Sequence, residues 1–253
     1  MKVHAIIQAR MGSTRLPGKV LMGLGGDSVL ARVVRRCQRA RQLDGVVVAT
    51  STRSEDEAIV QECARLGVEA FRGPDEDVLE RYAGAVRRLA SDVVARVTAD
   101  CPLIDPELID AMVARYREWD AAGERCDYLS NSIERSFPRG LDVEIVRANA
   151  LLAAAEEARA PHEREHVTPF IYLRPERYAL RAWTSPLDAS EHRWTLDTAE
   201  DLELLRRIFD RLGAAADKAG WREVLELVRA EPDWARINRH VVQKDLQERS
   251  KPR

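Results

Sequence analysis

Three cations follow the first apolar segment of the chain closely enough to hold one anion. Arg10, Arg15 and Lys19 lie in a stretch of ten residues directly after the apolar run 3–9, together with glycines and hydroxyl side chains. A loop with free backbone N–H groups and fixed cations suits a polyphosphate. A basic surface turn is the alternative, but the position of the cations after the first predicted strand favours a phosphate site.

Two common phosphate motifs are excluded by the spacing. A Walker A loop reads G-x-x-x-x-G-K followed by Ser or Thr. Here five residues separate Gly12 from Gly18, and Val20 follows Lys19. No G-x-G-x-x-G follows the strand either, since the next glycines lead into a predicted helix cap at Ser28. The loop therefore predicts a nucleotide site that is neither of the Walker type nor of the dinucleotide type.

Two aspartates stand at the ends of predicted strands. Asp100 follows the apolar run 93–98, and Asp197, 97 positions further on, follows a predicted short strand at 193–196. Loops at the carboxyl ends of parallel strands collect ligands, and carboxylates suit Mg²⁺. Asp100 can alternatively cap a turn.

The middle of the chain carries a further polar pattern. Leu141, Val143 and Ile145 alternate with Asp142 and Glu144, which predicts a strand with one apolar and one acidic face. Such alternating acids belong either to a solvated face or to a binding surface, and the residue pattern alone leaves both interpretations open.

The sequence His-Glu-Arg-Glu-His at 162–166 satisfies the H-E-x-x-H pattern of zinc hydrolases. A zinc-binding helix of that class needs a third ligand and an apolar face. Here Thr168 and Pro169 follow at once and are expected to break the helix. The four cysteines are widely spaced and form no zinc motif. Zinc hydrolysis is therefore disfavoured.

Strands and helices alternate along the first part of the chain. Buried strands are predicted at 3–9, 45–51, 67–73 and 93–98, and helices at 28–41, 52–66, 78–90 and 106–116. Shorter strands are predicted at 128–132, 137–146 and 178–184. This alternation predicts a layered α/β sheet with parallel strands.

Helix caps and domain limits complete this outline. Asp105 is predicted to cap the helix that begins at Pro106, and Thr198 to form a capping box with Asp201. We assign residues 1–213 to one α/β domain and residues 214–253 to a helical extension. That extension is predicted to end in a frayed tail from Gln243.

The composition is that of a globular protein without a nucleic-acid partner. The net charge of −2 offers no strongly basic face. No apolar run approaches the roughly 20 residues that span a bilayer. Single, widely spaced cysteines and the absence of a signal peptide before the first strand predict a cytoplasmic protein with reduced thiols.

Several motifs resemble one enzyme family. The segment IIQARMGSTRLPGKVL at 6–21, read with DCPLI at 100–104 and LDTAEDL at 196–202, is similar to the cytidylyltransferases that activate acidic sugars as CMP conjugates. The opening segment is most similar to the spore-coat polysaccharide biosynthesis branch. The resemblance extends to about Leu205, and it implies a three-layer α/β/α sandwich with a mostly parallel mixed sheet, of the GT-A type, and a homodimer.

The resemblance also implies a set of site residues. Asp100 and Asp197 match the metal-binding acids, which implies Mg²⁺ as the cofactor, and the catalytic set is Arg10, Lys19, Asp100 and Asp197. The expected nucleotide-binding residues are Gln8, Ala9, Arg10, Gly12, Ser13, Arg15 and Lys19. The expected acceptor-binding residues are Arg139, Asp142, Glu144, Arg164 and His166, with Glu165 as a further candidate.

These residues together suggest nucleotidyl transfer. We expect an acceptor oxygen to attack the α-phosphorus of CTP, with an acidic sugar as the acceptor and pyrophosphate as the leaving group. Two alternatives remain at this stage. One is a glycosyltransferase that uses a nucleotide-sugar, although neither Asp100 nor Asp197 belongs to the Asp-x-Asp motif usual in such enzymes; the other is a non-catalytic nucleotide-binding protein.

Overall fold

The computed structural model describes residues 1–243 and contains a large mixed sheet. The strands are β1 Val3–Gln8, β2 Gly23–Leu24, β3 Asp27–Ser28, β4 Gly45–Ser51, β5 Glu69–Gly73, β6 Val93–Thr98, β7 Tyr128–Ser130, β8 Glu144–Arg147 and β9 Leu180–Ala182. Seven of them form one sheet in the order β5-β4-β1-β6-β8-β7-β9, and β2 pairs with β3. The last part of the predicted tail, 244–253, lies outside the described residues.

Helices connect these strands. They are α1 Val29–Arg39, α2 Glu57–Leu66, α3 Val78–Leu89, α4 Pro106–Ala121, α5 Ala148–Glu157, α6 Pro161–His166, α7 Pro169–Tyr172, α8 Ala199–Leu212, α9 Trp221–Ala230 and α10 Trp234–Ile237. Short 3₁₀ turns occur at Lys19–Leu21, Ser54–Asp56 and Gly213–Ala215. The four main predicted strands and the helices that follow them are confirmed within a few residues.

The sheet is parallel in its first half and mixed in its second. Strands β5, β4, β1 and β6 are mutually parallel, whereas β8 runs antiparallel to both β6 and β7. Alternate residues of β1 enter different cores: Ala5 and Ile7 pack with α1 and α4, and Ile6 packs with α3 and α5. Apolar residues on both faces of a strand require helices on both sides. The predicted three-layer sandwich is confirmed.

Side-chain caps fix the helix starts close to the site. Asp105 accepts hydrogen bonds from the backbone N–H groups of Glu107 and Leu108, and Thr198 forms a capping box with Asp201. Both predicted caps are confirmed. They satisfy donors that the first turn of a helix leaves without partners, and each fixes a helix directly after a candidate acidic loop.

The predicted short strands differ from expectation. The strands predicted at 128–132 and 178–184 shorten to β7 and β9, and the other two differ more. Of the stretch 137–146, only its end belongs to β8, and 193–196 makes a single isolated bridge between Arg139 and Arg193. The physical reason is that 193–196 bonds to loops and not to a strand ladder. Trp194 N–H donates to the Arg139 carbonyl, and Leu196 N–H donates to the Asp100 carbonyl.

The C-terminal helices pack on the same body as the sheet. Trp221, Val224 and Val228 of α9 belong to the hydrophobic cluster that covers one face of the sheet. The fully buried Arg36 donates hydrogen bonds to the carbonyls of Ala216 and Ala219, and burial lowers its pKa to about 10. Within residues 1–243, no helix is long and apolar enough to cross a bilayer.

Gly140 allows the chain at 194–195 to approach the 137–142 loop. Its φ is +104°, and a Cβ at this position would lie 2.6 Å from the backbone carbon of Trp194 and 2.7 Å from the backbone nitrogen of Thr195. Only glycine adopts such a φ without strain, and the neighbouring atoms are backbone that cannot rotate away. Gly140 therefore holds the segment that leads to Asp197 in place.

Replacing Gly140 by alanine is expected to lower the free energy of unfolding by about 3 kcal/mol or more, because the overlap adds to the cost of the positive φ. Gly123→Ala is the matched control. Gly123 also has a positive φ, +72°, but no atom lies within 4 Å of an added Cβ. The Gly123→Ala variant should lose about 1 kcal/mol of the free energy of unfolding. Denaturant titration measures both values, and equal losses would contradict this role of Gly140.

Candidate active site

The cationic loop and Asp100 leave the sheet side by side. Strands β1 and β6 are parallel neighbours, with Gln8 opposite Thr98, so the segments that follow them begin at the same edge. Lys19 opens a 3₁₀ turn whose N-cap, Gly18, has a left-handed conformation with φ 69°. This turn directs Lys19 back towards the end of β6.

The Lys19 ammonium lies between the two candidate metal-binding acids. Its Nζ donates to Asp100 Oδ2 at 2.7 Å and to Asp197 Oδ1 at 2.9 Å. A third bond goes to the Leu196 carbonyl at 2.7 Å. All three N–H groups of the ammonium are thus used. The structure brings together three residues that the sequence analysis selected from distant segments.

Burial and charge act in opposite directions on this cluster. Burial alone would lower the pKa of Lys19, but Asp100 and Asp197 outweigh it, and the pKa is raised. Burial would likewise raise the pKa of Asp197, yet Lys19 and Arg15 hold it well below its usual range. The pKa of Asp100 is also lowered, by Lys19 against the opposing effects of burial and of Asp197. All three groups are therefore charged at neutral pH.

Backbone contacts explain why acids 97 positions apart meet. The Asp100 carbonyl accepts hydrogen bonds from Leu196 N–H at 2.8 Å and from Thr195 Oγ1 at 3.2 Å. The Asp100 carboxylate is oriented separately, since Thr98 Oγ1 donates to its Oδ1 at 2.6 Å. The loop before α8 is thus fixed on the loop after β6.

Arg193 is a site residue that the sequence analysis missed. Asp197 Oδ2 accepts from Arg193 Nη2 at 2.8 Å, and it also lies 2.7 Å from Arg15 Nη2. Arg193 Nε donates in addition to Asp201 Oδ1 at 2.9 Å. Asp201 was expected only to favour the start of its helix, but it also orients this arginine. The signal available in the sequence was an arginine within the predicted strand 193–196, four positions before Asp197.

Asp56 holds the start of the cationic loop. Its Oδ1 accepts from Met11 N–H at 2.7 Å, while its Oδ2 accepts from Ser51 Oγ at 2.5 Å. This carboxylate ties the start of the loop to the end of β4. Arg10 makes no hydrogen bond or ion pair with another residue of the described range, so its guanidinium is available to a ligand.

The other predicted nucleotide contacts serve the loop backbone or the sheet edge. Ala9 N–H donates to the Ala49 carbonyl, Ser13 Oγ accepts from Leu16 N–H, and Gln8 Oε1 accepts from Arg96. A Cβ added at Gly12 would lie 3.4 Å from Glu55 Oε1.

A cleft of about 600 Å³ extends from the two acids across the second half of the sheet. Predicted acceptor residues line it, namely Arg139, Asp142, Glu144 and His166, together with Asp100 and Asp197. Two of its acids are paired, as Asp142 bonds to Arg135 at 2.6 Å and Glu144 to Arg96 at 2.6 Å. The cleft thus connects the metal-type acids with the predicted acceptor region.

Arg96 and Arg135 are further residues that the sequence analysis did not select. A lone arginine within the otherwise apolar strand β6 was the signal for Arg96. Two groups in this part of the cleft keep unused hydrogen-bonding capacity among the described residues. Glu144 Oε2 is buried without a partner, and the Arg139 guanidinium makes no hydrogen bond or ion pair.

Arg164 is not among the described residues that line the cleft. Its guanidinium pairs with Asp77, the N-cap of α3, and bonds to the Ala155 carbonyl. The structure therefore places Arg164 in a contact between helices and separates it from the other predicted acceptor residues. Its neighbour Glu165 is absent from the described lining of the cleft as well.

The H-E-x-x-H pattern lies on a short helix. Helix α6 ends at His166, and Val167 follows with a φ of +73°. Among residues 1–243, no group of three or more His, Cys, Asp or Glu side chains is placed to hold a metal ion. The four cysteines are buried and unpaired.

Comparison with known proteins agrees with this geometry. Residues 4–223 match the model of the cytidylyltransferase family. The chain is 34% identical over 237 residues to the spore coat polysaccharide biosynthesis protein SpsF of Bacillus subtilis, which covers 91% of this chain and 95% of that protein. It is 33% identical over 242 residues to the 3-deoxy-manno-octulosonate cytidylyltransferase of Anaeromyxobacter dehalogenans, covering 81% of this chain and 97% of that protein.

A solved structure gives the same result. The fold is similar to that of a cytidylyltransferase from Leptospira borgpetersenii, with a TM-score of 0.88, 31% identity and coverage of 97% of this chain and 100% of that one. These findings favour nucleotidyl transfer over the glycosyltransferase alternative. The chain belongs to the cytidylyltransferase family and is a CTP-dependent nucleotidyltransferase.

Proposed function

We propose that this enzyme transfers the cytidylyl group of CTP to a hydroxyl of a sugar acid, for the synthesis of a surface or spore-coat polysaccharide in the cytoplasm. The observation that carries the proposal is the cleft that joins the Lys19–Asp100–Asp197 cluster to the Arg139 guanidinium. A homodimer is proposed from the family likeness alone.

The charges of the cleft favour an acidic acceptor. Arg135 and Arg96 form ion pairs with Asp142 and Glu144, whereas Arg139 forms no ion pair with the described residues. Burial and the nearby Arg135 lower the pKa of Arg139 by more than Asp142 raises it, so a bound anion would relieve an unfavourable environment. A carboxylate suits a guanidinium through paired charge-assisted hydrogen bonds. The buried Glu144 Oε2 is an acceptor for a sugar hydroxyl.

The cationic loop suits the triphosphate. Arg10 has no partner within residues 1–243, and Arg15 is the more exposed of the two cations that meet Asp197 from this loop, with 23% of its side chain exposed against 11% for Lys19. Arg10, Arg15 and Lys19 would hold the phosphates and stabilise the charge that develops on pyrophosphate. Phosphoryl-type transfer needs positioning and electrostatics more than a nucleophilic side chain.

The acids fit Mg²⁺. This ion binds through one or two carboxylates together with substrate phosphates, so two carboxylates on one ammonium form a suitable donor set. Asp100 and Asp197 would hold the ion, which supplies charge stabilisation on phosphate oxygens when bound. Lys19 keeps the two carboxylates together in its absence.

The reaction itself is a displacement at phosphorus. The acceptor oxygen forms a bond to the α-phosphorus of CTP, and the bond from that phosphorus to the bridging oxygen of the β-phosphate breaks. The hydroxyl proton leaves to water in the open cleft. Arg139 would orient the acceptor, and the cationic loop would orient the leaving pyrophosphate.

Pyrophosphate release tests the proposal directly. The enzyme is incubated with Mg²⁺, each of the four common NTPs and a panel of sugar acids, with the corresponding neutral sugars as controls. We expect release with CTP and a sugar acid only. Release with neutral sugars at equal rates would contradict an acidic acceptor, and release with another NTP would contradict cytidylyl transfer in this chain.

Replacing Asp100 by asparagine should lower kcat by about 100-fold or more, because the variant keeps the shape but removes a charge from the cluster. The exposed Asp233→Asn is the matched control and should retain wild-type turnover. Thermal unfolding of both variants distinguishes lost chemistry from lost structure. Normal turnover of the Asp100 variant would refute its catalytic role.

Replacing Arg139 by methionine should raise KM for the sugar acid by about 10- to 100-fold, since a hydrogen-bonded ion pair is lost. KM for CTP should change little. Arg88→Met is the control, because the Arg88 side chain is 69% exposed. An unchanged KM for the acceptor would place its carboxylate elsewhere.

A further inference from the structure

We propose that two residues of the C-terminal segment 234–243, Asn238 and Gln243, are positioning residues of the catalytic site, because they fix the arginine that positions Asp197. This inference rests on the proposed role of Asp197. The segment lies beyond residues 4–223, which match the family model. It is nevertheless in direct contact with the charged cluster.

Asn238 holds the backbone and the partner of Arg193. The Asn238 side chain is 96% buried, and its Nδ2 donates to the Arg193 carbonyl at 2.9 Å and to Asp201 Oδ1 at 2.8 Å. Asp201 Oδ1 also accepts from Arg193 Nε. One amide of the C-terminal segment therefore fixes both ends of the Arg193–Asp201 pair.

Gln243 completes the set of partners around the Arg193 guanidinium. Its Oε1 accepts from Arg193 Nη1 at 2.7 Å, while Nε and Nη2 are bonded to Asp201 and Asp197. A guanidinium is planar and rigid, so partners on its three nitrogens determine its orientation. Without Gln243, Nη1 has no partner among the described residues. The guanidinium is then held on one side only, by the two Asp201 oxygens and by Asp197.

The orientation of Arg193 matters because Arg193 holds one of the two Asp197 carboxylate oxygens that would bind the metal ion. Arg193 and Arg15 contact Oδ2 of Asp197, and Lys19 donates a hydrogen bond to Oδ1. Arg193 is buried and donates to Asp197. It would act on the substrate only through Asp197, so it is a positioning residue. It corresponds to the outer partners that orient metal ligands in enzymes.

Gln243 also lies between two cavities. It lines the cleft, and it lines a second cavity of about 450 Å³ bounded by His192, Trp194 and Val228. Arg139, the proposed acceptor anchor, is shared by the same two cavities. Gln243 thus forms part of the wall of the cleft that also contains Asp197 and Arg139.

The test compares Gln243→Leu with Gln243→Glu. Leucine is of similar size but removes the acceptor of Arg193, whereas glutamate retains it. We expect Gln243→Leu to lower kcat by about 10-fold and to weaken Mn²⁺ binding to the enzyme–CTP complex by a similar factor. Gln243→Glu should restore most of both, and KM for CTP should stay within about 2-fold of wild type if only Asp197 is affected.

The control is Val242→Ala, whose parent side chain is among the exposed hydrophobic residues, at 81% exposure. It should behave as wild type. Thermal midpoints are measured for all variants. Wild-type kcat and Mn²⁺ binding in Gln243→Leu would overturn the inference. Equal losses of kcat and Mn²⁺ binding in Gln243→Leu and Gln243→Glu, together with a lower thermal midpoint in both, would overturn it as well.

The same experiment distinguishes the inference from the proposed function. Wild-type enzyme that releases no pyrophosphate with CTP and any sugar acid contradicts the proposed function. The Mn²⁺ titration then still decides the positioning role, since weaker binding in Gln243→Leu than in wild type supports it. Equal binding in the two proteins overturns it.

Discussion

The buried ammonium of Lys19 is the charge on which the arrangement of the site depends. Removing an ammonium from water costs on the order of several kcal/mol unless charged and hydrogen-bonding partners replace its hydration. Asp100, Asp197 and the Leu196 carbonyl supply those partners. They come from the loop after β6 and the loop before α8, so the requirement to solvate one ammonium joins segments that are distant in sequence.

The sheet topology makes this convergence geometrically possible. Parallel neighbours deliver the cationic loop and Asp100 to one edge, as loops do at the carboxyl ends of such strands. Asp197 arrives by another route, since 193–196 is not a strand of the sheet. Its position depends on the close approach at Gly140 and on bonds to the Asp100 carbonyl. One half of the site therefore follows from the sheet, and the other half from loop packing.

This division explains what the sequence could predict. Apolar periodicity and caps determined the parallel strands and the helix that starts at Pro106, because these are local properties. Arg193 and Arg96 were missed because the fold brings their partners to them. A charge pattern along the chain does not show which side chains form ion pairs. Arg164 was selected by motif, but its guanidinium reaches Asp77, and only the helix packing determines that contact.

Charge balance constrains how a nucleotide enters. The buried network comprises Arg15, Lys19, Arg193, Asp100, Asp197 and Asp201. These three cations and three carboxylates leave no surplus positive charge, so the network alone attracts a triphosphate only weakly. A divalent cation that arrives with the nucleotide would take up the charge of Asp100 and Asp197, and Arg15 would then be released to the phosphates. We therefore expect this site to favour the metal–nucleotide complex over the free nucleotide.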